Sequence, residues 1–291
     1  MPSIVIAAHN EENVIGQNLD ALLAQQTVDP LEIIVIANGC TDQTVAIASR
    51  PGVIVIDRAP PGKAAAVNAG DLVATGFPRV YLDADIIVPP GGLAALVARL
   101  AEAPCVLAAV PRRRIDTGGR PWPVRAYFSI NERLPAFRNG LFGRGMIAVS
   151  EQGRARFDAF PVMIADDLFL DSQFTDAEKA EVVGVEVVVA APFTTRDLVR
   201  RLVRVRRGNA QMRAAAAAQQ IDVRVRPADR WAWLCEVALP NPRLLPATIP
   251  YVSITLLSGL LARRRVKAGQ EWGRDESTRG TQSSATNGAS A

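Results

Sequence analysis

At 291 residues with 49% hydrophobic and 21% charged side chains, the chain is long enough for one large α/β domain or two small ones. Lys+Arg 33 against Asp+Glu 29 leaves +4 at pH 7, too small an excess for a nucleic-acid partner but suited to phosphate-bearing ligands or an anionic membrane surface. The three cysteines, Cys40, Cys105 and Cys235, have neither disulfide-framework nor zinc spacing, which suits a reducing compartment, and the single histidine, His9, excludes any chemistry that needs a His base beside a His ligand, leaving acid–base work to carboxylates.

The chain opens on the apolar run Ser3–Ala8 with no charged leader before it, so no signal peptide is expected and the active part is expected to face the cytoplasm. That run predicts a strand, and His9-Asn10-Glu11-Glu12 then leads into a helix over Val14–Gln26 with Val14, Ile15, Leu19, Leu22 and Leu23 on one face. Leu31–Ala37 predicts a second strand, and Asn38-Gly39-Cys40-Thr41-Asp42 opens a short helix that Thr41 or Asp42 could cap. Val53–Ile56 is a third strand, Pro60-Pro61-Gly62 a turn, Lys63–Ala74 an Ala-rich helix and Arg79–Leu82 a fourth strand. These strands are continuously apolar rather than alternating, which predicts a parallel sheet covered on both faces. Such sheets bind ligands beyond the carboxyl ends of their strands. His9, Asn10, Glu11, Asn38, Asp57, Asp83 and Asp85 all fall there.

A helix over Gly91–Ala101 and a strand over Cys105–Val110 come next. Pro111–Val124, with Arg112, Arg113, Arg114 and Trp122 among glycines and prolines, is expected to be a long basic loop of the kind that forms lids. A helix over Arg125–Phe137, a strand from the glycine-rich Gly143-Arg144-Gly145 to Val149, a helix opened by Asp166-Asp167-Leu168, a β-branched strand over Val182–Val189 and an arginine-rich helix over Asp197–Met212 follow. No internal repeat is present. Leu244–Ala262 carries no charge and precedes Arg263-Arg264-Arg265-Val266-Lys267. That is the pattern of a membrane span with a cytoplasmic basic flank, although Pro246, Pro250 and the hydroxyl residues make a buried hairpin or an interfacial segment equal alternatives. The polar, small-residue stretch from Gly269 to Ala291 is expected to be disordered.

The apolar run Val80–Val88 breaks for two carboxylates, Asp83 and Asp85, and then resumes. An unpaired buried carboxylate is costly or becomes protonated, so the pair is expected to sit where the strand surfaces, sharing a cation or hydrogen-bond donors. A solvated strand end would look the same in isolation. No Gly-x-Gly-x-x-Gly follows the first strand, and Gly62-Lys63 is followed by Ala64 rather than Ser or Thr, so neither a dinucleotide fold nor a P-loop is present. Lys63 could bind phosphate or simply begin its helix in solvent.

Six features in this order resemble glycosyltransferase family 2, enzymes of the GT-A nucleotide-sugar fold: Ala8-His9-Asn10-Glu11-Glu12, Ala37-Asn38-Gly39-Cys40-Thr41-Asp42, Gly62-Lys63 with Asn68 and Gly70, Asp83-Ala84-Asp85, Asp166-Asp167-Leu168, and Arg204 with Arg207. The likeness covers about residues 3 to 210. It implies a GT-A domain over 1–220, with a nucleotide-sugar half over 1–110 and an acceptor half over 111–220, then a helical, membrane-associated region over 221–268 and a tail over 269–291. It implies Mn²⁺ or Mg²⁺ on Asp85, with Asp83 near the donor ribose or also on the metal, and Asp167 as the base that takes the acceptor's proton. Ala8, His9, Asn10, Glu11, Asn38, Lys63, Asn68, Ala84, Arg204 and Arg207 are then expected on the donor, and Trp122, Gly143, Arg144, Gly145 and Asp166 on the acceptor.

The chain also departs from the family. Asp166 stands where a Glu-Asp pair is usual, Asn38 where a paired aspartate is usual, which leaves UDP against GDP open, and Arg204 and Gly208 stand in the Gln-x-x-Arg-Trp pattern of processive members. The last favours transfer of one sugar, with guanidinium groups on the diphosphate. A single base with no second nucleophile suits inversion. The expected partners are a nucleoside-diphosphate sugar and a saccharide or lipid-linked acceptor at the inner face of the cell membrane, with membrane contact through 244–262. The rivals are a non-catalytic nucleotide-sugar-binding subunit and a sugar-phosphate nucleotidyltransferase; the latter needs a glycine-rich, arginine-containing signature where this chain has His9-Asn10-Glu11-Glu12.

Overall fold

A computed structural model describes residues 1–26, 30–162, 166–221, 229 and 231–264. Its strands are β1 (Ser3–Ala8), β2 (Glu32–Asn38), β3 (Val53–Arg58), β4 (Arg79–Asp83), β5 (Ala108–Asp116), β6 (Met146–Val149) and β7 (Lys179–Ala190), joined in one sheet in the order β3-β2-β1-β4-β6-β5-β7. β1 runs parallel to β2 and β4, β2 to β3 and β5 to β7, whereas β6 is antiparallel to both of its neighbours, β4 and β5. Two reversals in succession turn β5 back to the direction of β4. Every strand except β6 therefore ends at the same edge, and β6 begins there.

The helices are α1 (Ile15–Leu23), α2 (Thr44–Ala48), α3 (Lys63–Val73), α4 (Gly92–Glu102), α5 (Trp122–Asn131), α6 (Pro135–Asn139), α7 (Glu151–Arg154), α8 (Asp166–Ser172), α9 (Thr195–Ala217) and α10 (Leu245–Arg263). Side chains alternate across a strand, and both sets are buried here. Ile4, Ile6, Ile33, Val35, Val80 and Leu82 pack on Ile15, Leu19 and Leu22 of α1 and Leu93 and Leu96 of α4. Val5, Ile34, Ile36 and Ile147 face Ala66 and Val67 of α3 and Phe169 and Leu170 of α8. This is why the strands read as unbroken apolar runs. A third cluster joins Ile115, Val124, Tyr127, Leu198, Tyr251 and Ile254, tying α5, α9 and α10 to the end of β5.

The long basic loop expected over Pro111–Val124 is mostly strand. β5 continues to Asp116, pairing Arg112 with Glu186, Arg113 with Val187 and Arg114 with Val188 after an irregularity at Pro111/Arg112, the place in a ladder where a residue without an N–H does least harm. Its arginines alternate as strand residues do, Arg112 and Arg114 outward and Arg113 inward, and Arg114 Nε meets Glu186 Oε1 at 2.7 Å. The helix expected over Arg125–Phe137 is broken: α5 stops at Asn131, and Leu134, forced out of helical geometry before Pro135, is extended. The strand expected from Cys105 begins only at Ala108, and the one expected from Val182 begins at Lys179. Leu244–Ala262 is neither a hairpin nor interrupted: α10 runs through Pro250 without a break. The basic flank beyond Arg264 and the tail over 269–291 lie outside the described residues.

Candidate active site

β1 sends the chain through α1 to β2 on one side, and α3 returns it to β4 on the other side of β1. The divergence leaves a crevice at the carboxyl ends of β1 and β4, the switch point where open α/β sheets take ligands. Lys63 at the first position of α3, Asp83 at the end of β4, Gly143 and Gly145 ahead of β6, and Asp166 and Asp167 in the first turn of α8 line it.

Lys63 Nζ bridges two carboxylates, 2.9 Å from Asp83 Oδ1 and 3.0 Å from Asp166 Oδ2. Burial works against its charge, but Asp166 and Asp83 outweigh that and hold its pKa well above the ordinary lysine value. Asp167 Oδ2 accepts the Gly143 N–H at 3.0 Å and Oδ1 accepts the Leu168 N–H at 2.8 Å. Burial, and then the negative charge of Asp166, push Asp167 up to about 6, with Lys63 and the Gly143 N–H pulling the other way. Asp167 is thus ionised at neutral pH and more basic than a free aspartate. Asp85 also sits above its ordinary value, through burial and then the charge of Asp83, opposed by Arg201. Water still reaches its side chain, so it lies on an open crevice whose walls strip part of its hydration.

Two local devices hold this arrangement. Gly143 and Gly145 are both left-handed, at φ 69, and a Cβ on Gly145 would meet Ile86 Cγ1 at 2.4 Å and Asp83 Oδ2 at 3.3 Å. Only glycine lets the approach to β6 lie over Asp83, whose N–H donates to Gly145 O at 2.8 Å. On the opposite face of the sheet, the buried Asn18 of α1 donates to Ile86 O at 2.6 Å, pinning the turn that carries Asp85. Sequence reasoning missed Asn18. The available signal was an amide among the apolar residues Ile15, Leu19 and Leu22.

The loops after β1 and β2 are laced together. His9 Nδ1 lies 2.6 Å from Asn38 O, left-handed Asn10 accepts the Thr41 N–H on Oδ1 at 2.7 Å, and the Glu11 N–H donates to Thr44 Oγ1 at 2.7 Å. Asn38, 1% exposed, accepts the Gly62 N–H on Oδ1 at 2.8 Å and leaves Nδ2 buried with no hydrogen-bond partner. His9, Asn10, Glu11 and Asn38 are therefore brought to one rim, next to Lys63. Ala8 and Ala84 are buried supports at the ends of their strands.

Other candidates are turned elsewhere. Asn68 clamps Phe160, donating to its O at 2.9 Å and accepting its N–H at 2.8 Å, so its amide is spent on the fold rather than on a donor. Arg144 is 2% exposed and donates to Gly140 O and Pro111 O; its guanidinium supports the backbone instead of reaching an acceptor. Arg207 donates to Leu261 O at 3.3 Å and Arg206 to Ser258 Oγ at 3.1 Å, fastening α9 to α10. The α9 arginine whose charge acts on Asp85 is Arg201, three residues before Arg204 and not among the residues that the resemblance puts on the donor. Arg113, hidden within the supposed loop, stacks 4.1 Å above the Phe137 ring and donates to Gly143 O at 3.3 Å. Burial and then Arg144 bring it down to about 10, so it stays charged at neutral pH. Trp122 opens α5, 52% exposed, beyond the carboxyl end of β5, and is not among the residues that line the crevice.

Among the described residues, no group of three His, Cys, Asp or Glu side chains could hold a metal unaided. Asp83 and Asp85 nevertheless fit a hard divalent cation that takes its remaining ligands from phosphate and water. They are adjacent carboxylates that crowd one another, and one of them already draws an ammonium group.

A mostly parallel sheet with helices on both faces, opening on an acidic switch-point crevice, is an α/β architecture of the GT-A kind. The model of glycosyl transferase family 2 matches residues 3–156, more than half of the chain, and the protein belongs to that family. Glycosyltransferases of Mycobacterium bovis and Mycobacterium tuberculosis, described as uncharacterised, are 34% identical over 121 residues, which is 42% of this chain and 52% of theirs. The match thus spans about half the length of those relatives. Among solved structures, a mannosyltransferase of Pyrobaculum calidifontis in complex with GDP-Man and Mn²⁺ superimposes with a TM-score of 0.59 at 24% identity, over 90% of this chain and 78% of that one. S. aureus TarS in complex with UDP-GlcNAc does so with a TM-score of 0.53 at 14% identity, over 87% and 79%. Both share the fold.

Proposed function

We propose that this protein is an inverting, metal-dependent glycosyltransferase that moves one sugar from a nucleoside-diphosphate sugar to a hydroxyl of a saccharide or lipid-linked acceptor, in polysaccharide or glycolipid assembly at the cytoplasmic face of the membrane. One observation carries the reading: Asp83, Asp166 and Asp167 converge on Lys63 at the switch point, with Asp167 lifted to about 6. A carboxylate with that pKa is ionised when the acceptor arrives and basic enough to take its proton. The acceptor oxygen forms its bond to the anomeric carbon as the bond from that carbon to the diphosphate oxygen breaks, the nucleoside diphosphate leaves with the electron pair, and the proton passes to Asp167. A single displacement inverts the anomeric centre.

Asp83 and Asp85 would hold Mn²⁺ or Mg²⁺, which when bound neutralises charge on the departing diphosphate. Lys63 exchanges its carboxylate partners for phosphate oxygens. Arg201, with Arg204 one turn further along α9, adds guanidinium charge from the acceptor side. His9, Asn10 and Glu11 frame the nucleoside, with the buried Asn38 holding the Gly62 N–H behind them. The two solved neighbours carry a guanosine and a uridine nucleotide-sugar, which supports the donor class and leaves both nucleotides to be tried.

The test is release of nucleoside diphosphate from UDP- and GDP-sugars with Mn²⁺, with and without saccharide acceptors. Native protein is expected to turn over one donor series, and Asp85→Ala and Asp167→Asn to lose that turnover. Undiminished transfer by folded Asp167→Asn would remove the base assignment, and absence of binding by any nucleoside diphosphate in the presence of Mn²⁺ would remove the enzyme.

A further inference from the structure

We infer that α10 lies in the plane of an anionic bilayer surface, docked through one exposed apolar stripe, and does not cross the bilayer. The segment Pro242–Arg263 is long and apolar enough to span; its apolar 18-residue stretch has mean hydropathy 1.7, and only 22% of that stretch is buried. Its two sides have different partners. Ala247, Pro250, Tyr251, Ile254 and Ser258 are buried against α5 and α9, where Tyr251 stacks on Tyr127 with ring centroids 5.2 Å apart and Arg206 and Arg207 hydrogen-bond to Ser258 and Leu261. A spanning α10 would carry both arginines and the helices beside them into hydrocarbon, or break these contacts.

The other side is bare. Leu245, Ile249, Leu256, Leu257 and Leu260 are 47%, 70%, 61%, 48% and 61% exposed, and at about 100° per residue they fall within roughly one third of the helix circumference. A helix apolar all round belongs in a core or in lipid; half of this one is in neither. Its polar surroundings name the occupant. α10 contains no Asp or Glu, Arg243 precedes it, and Arg263 and Arg264, both exposed, close it, with Arg265 and Lys267 next in sequence. A second copy packed antiparallel on the same stripe would set these arginines against one another, whereas an anionic lipid surface attracts every one of them while it takes up the leucines. Arg201, which acts on Asp85, is five residues before Arg206 on α9, about 7.5 Å along the axis. Docking would therefore bring the crevice close to the lipid face, where a lipid-linked acceptor presents its head group. That consequence rests on the function proposed above; the docking does not.

Sedimentation with vesicles separates the two. Full-length protein is expected to bind vesicles of phosphatidylcholine with phosphatidylglycerol, weakly or not at all those of phosphatidylcholine alone, and to release from the former as salt rises. The double variant Leu256→Asp/Leu260→Asp, checked for native melting, is expected to lose about tenfold or more of the anionic-vesicle affinity. Should that variant misfold, Ile249→Glu probes the same stripe from the opposite end. Equal binding by native and stripe variants would assign the attraction to the basic flank alone and overturn the inference. So would absence of vesicle binding, or a solution dimer, seen by light scattering, that the stripe variants dissolve. Nucleoside-diphosphate binding, followed in the same samples without vesicles, reports on the catalytic reading independently.

Discussion

Lys63 is at once a helix start, a phosphate candidate and the bridge between Asp83 and Asp166, so it competes for the oxygens that a metal needs. In Lys63→Met the carboxylates lose their resident countercharge. We expect that variant to bind Mn²⁺ about tenfold more tightly than native protein when no nucleotide is present, by calorimetry, and to bind nucleoside diphosphate more weakly without metal. Equal or weaker Mn²⁺ binding by a folded Lys63→Met protein would mean that Lys63 does not hold the place of the cation. Asp167 carries a second expectation. Its pKa rises from 3.8 in the unfolded reference to about 6 in the fold, so the fold favours its protonated form. The stabilisation this provides is complete below the unfolded value and is lost as pH climbs through about 6. Activity runs in the opposite sense, since the base must be ionised: kcat/KM should rise with pH through the same window. Asp167→Asn should lose roughly 10²–10⁴-fold of kcat and the acid limb with it, and should gain melting temperature relative to native protein between pH 4 and 8. Asp83 and Asp85 stood out because they interrupt an apolar run, and Asp167 only through the family resemblance. Arg201 was not, because one arginine among many on a helix differs from its neighbours only in which way it faces.

At the scale of elements, the strands of the parallel half were readable and the stretch from Pro111 to Phe137 was not, for one physical reason. β1 and β2 are buried on both faces, so their sequences are unbroken apolar runs, whereas the far half of β5 has one face open and alternates Arg112, Arg114 and Asp116 with Arg113 and Ile115. Prolines and glycines around that alternation imitate a loop. The approach to β6 shows how an element positions chemistry. Gly145→Ala must adopt a left-handed backbone, which costs about 1–2 kcal/mol, and must also displace Ile86, whose carbonyl is held by Asn18. Melting should fall by roughly 2–4 °C for each kcal/mol, and Mn²⁺-dependent nucleotide binding should weaken because Ile86 directly follows Asp85 and the added methyl also presses on Asp83. A stable Gly145→Ala protein with native nucleotide binding would show that the turn tolerates movement.

Over the whole molecule the crevice is assembled from parts far apart in sequence: the loops after β1 and β2, the start of α3, the end of β4, the approach to β6 and the first turn of α8. A ligand that touches them all binds only the native chain and stabilises it by RT ln(1 + [L]/Kd), about 2.7 kcal/mol at a hundredfold excess over Kd. Metal and nucleotide should act together, because Asp83 and Asp85 supply too few ligands to hold a cation tightly and the diphosphate completes them while adding charge that the carboxylates alone would repel. Coupling of this kind is reciprocal: the factor by which Mn²⁺ tightens the nucleoside diphosphate must equal the factor by which the nucleotide tightens Mn²⁺. We therefore expect a melting shift with UDP or GDP plus Mn²⁺ that exceeds the sum of the separate shifts, equal coupling factors from the two titrations, and additive, smaller shifts in Asp85→Ala. Additive shifts in the native protein would place the metal away from the nucleotide, and with it the assignment of Asp83 and Asp85 as the carboxylates that join the two.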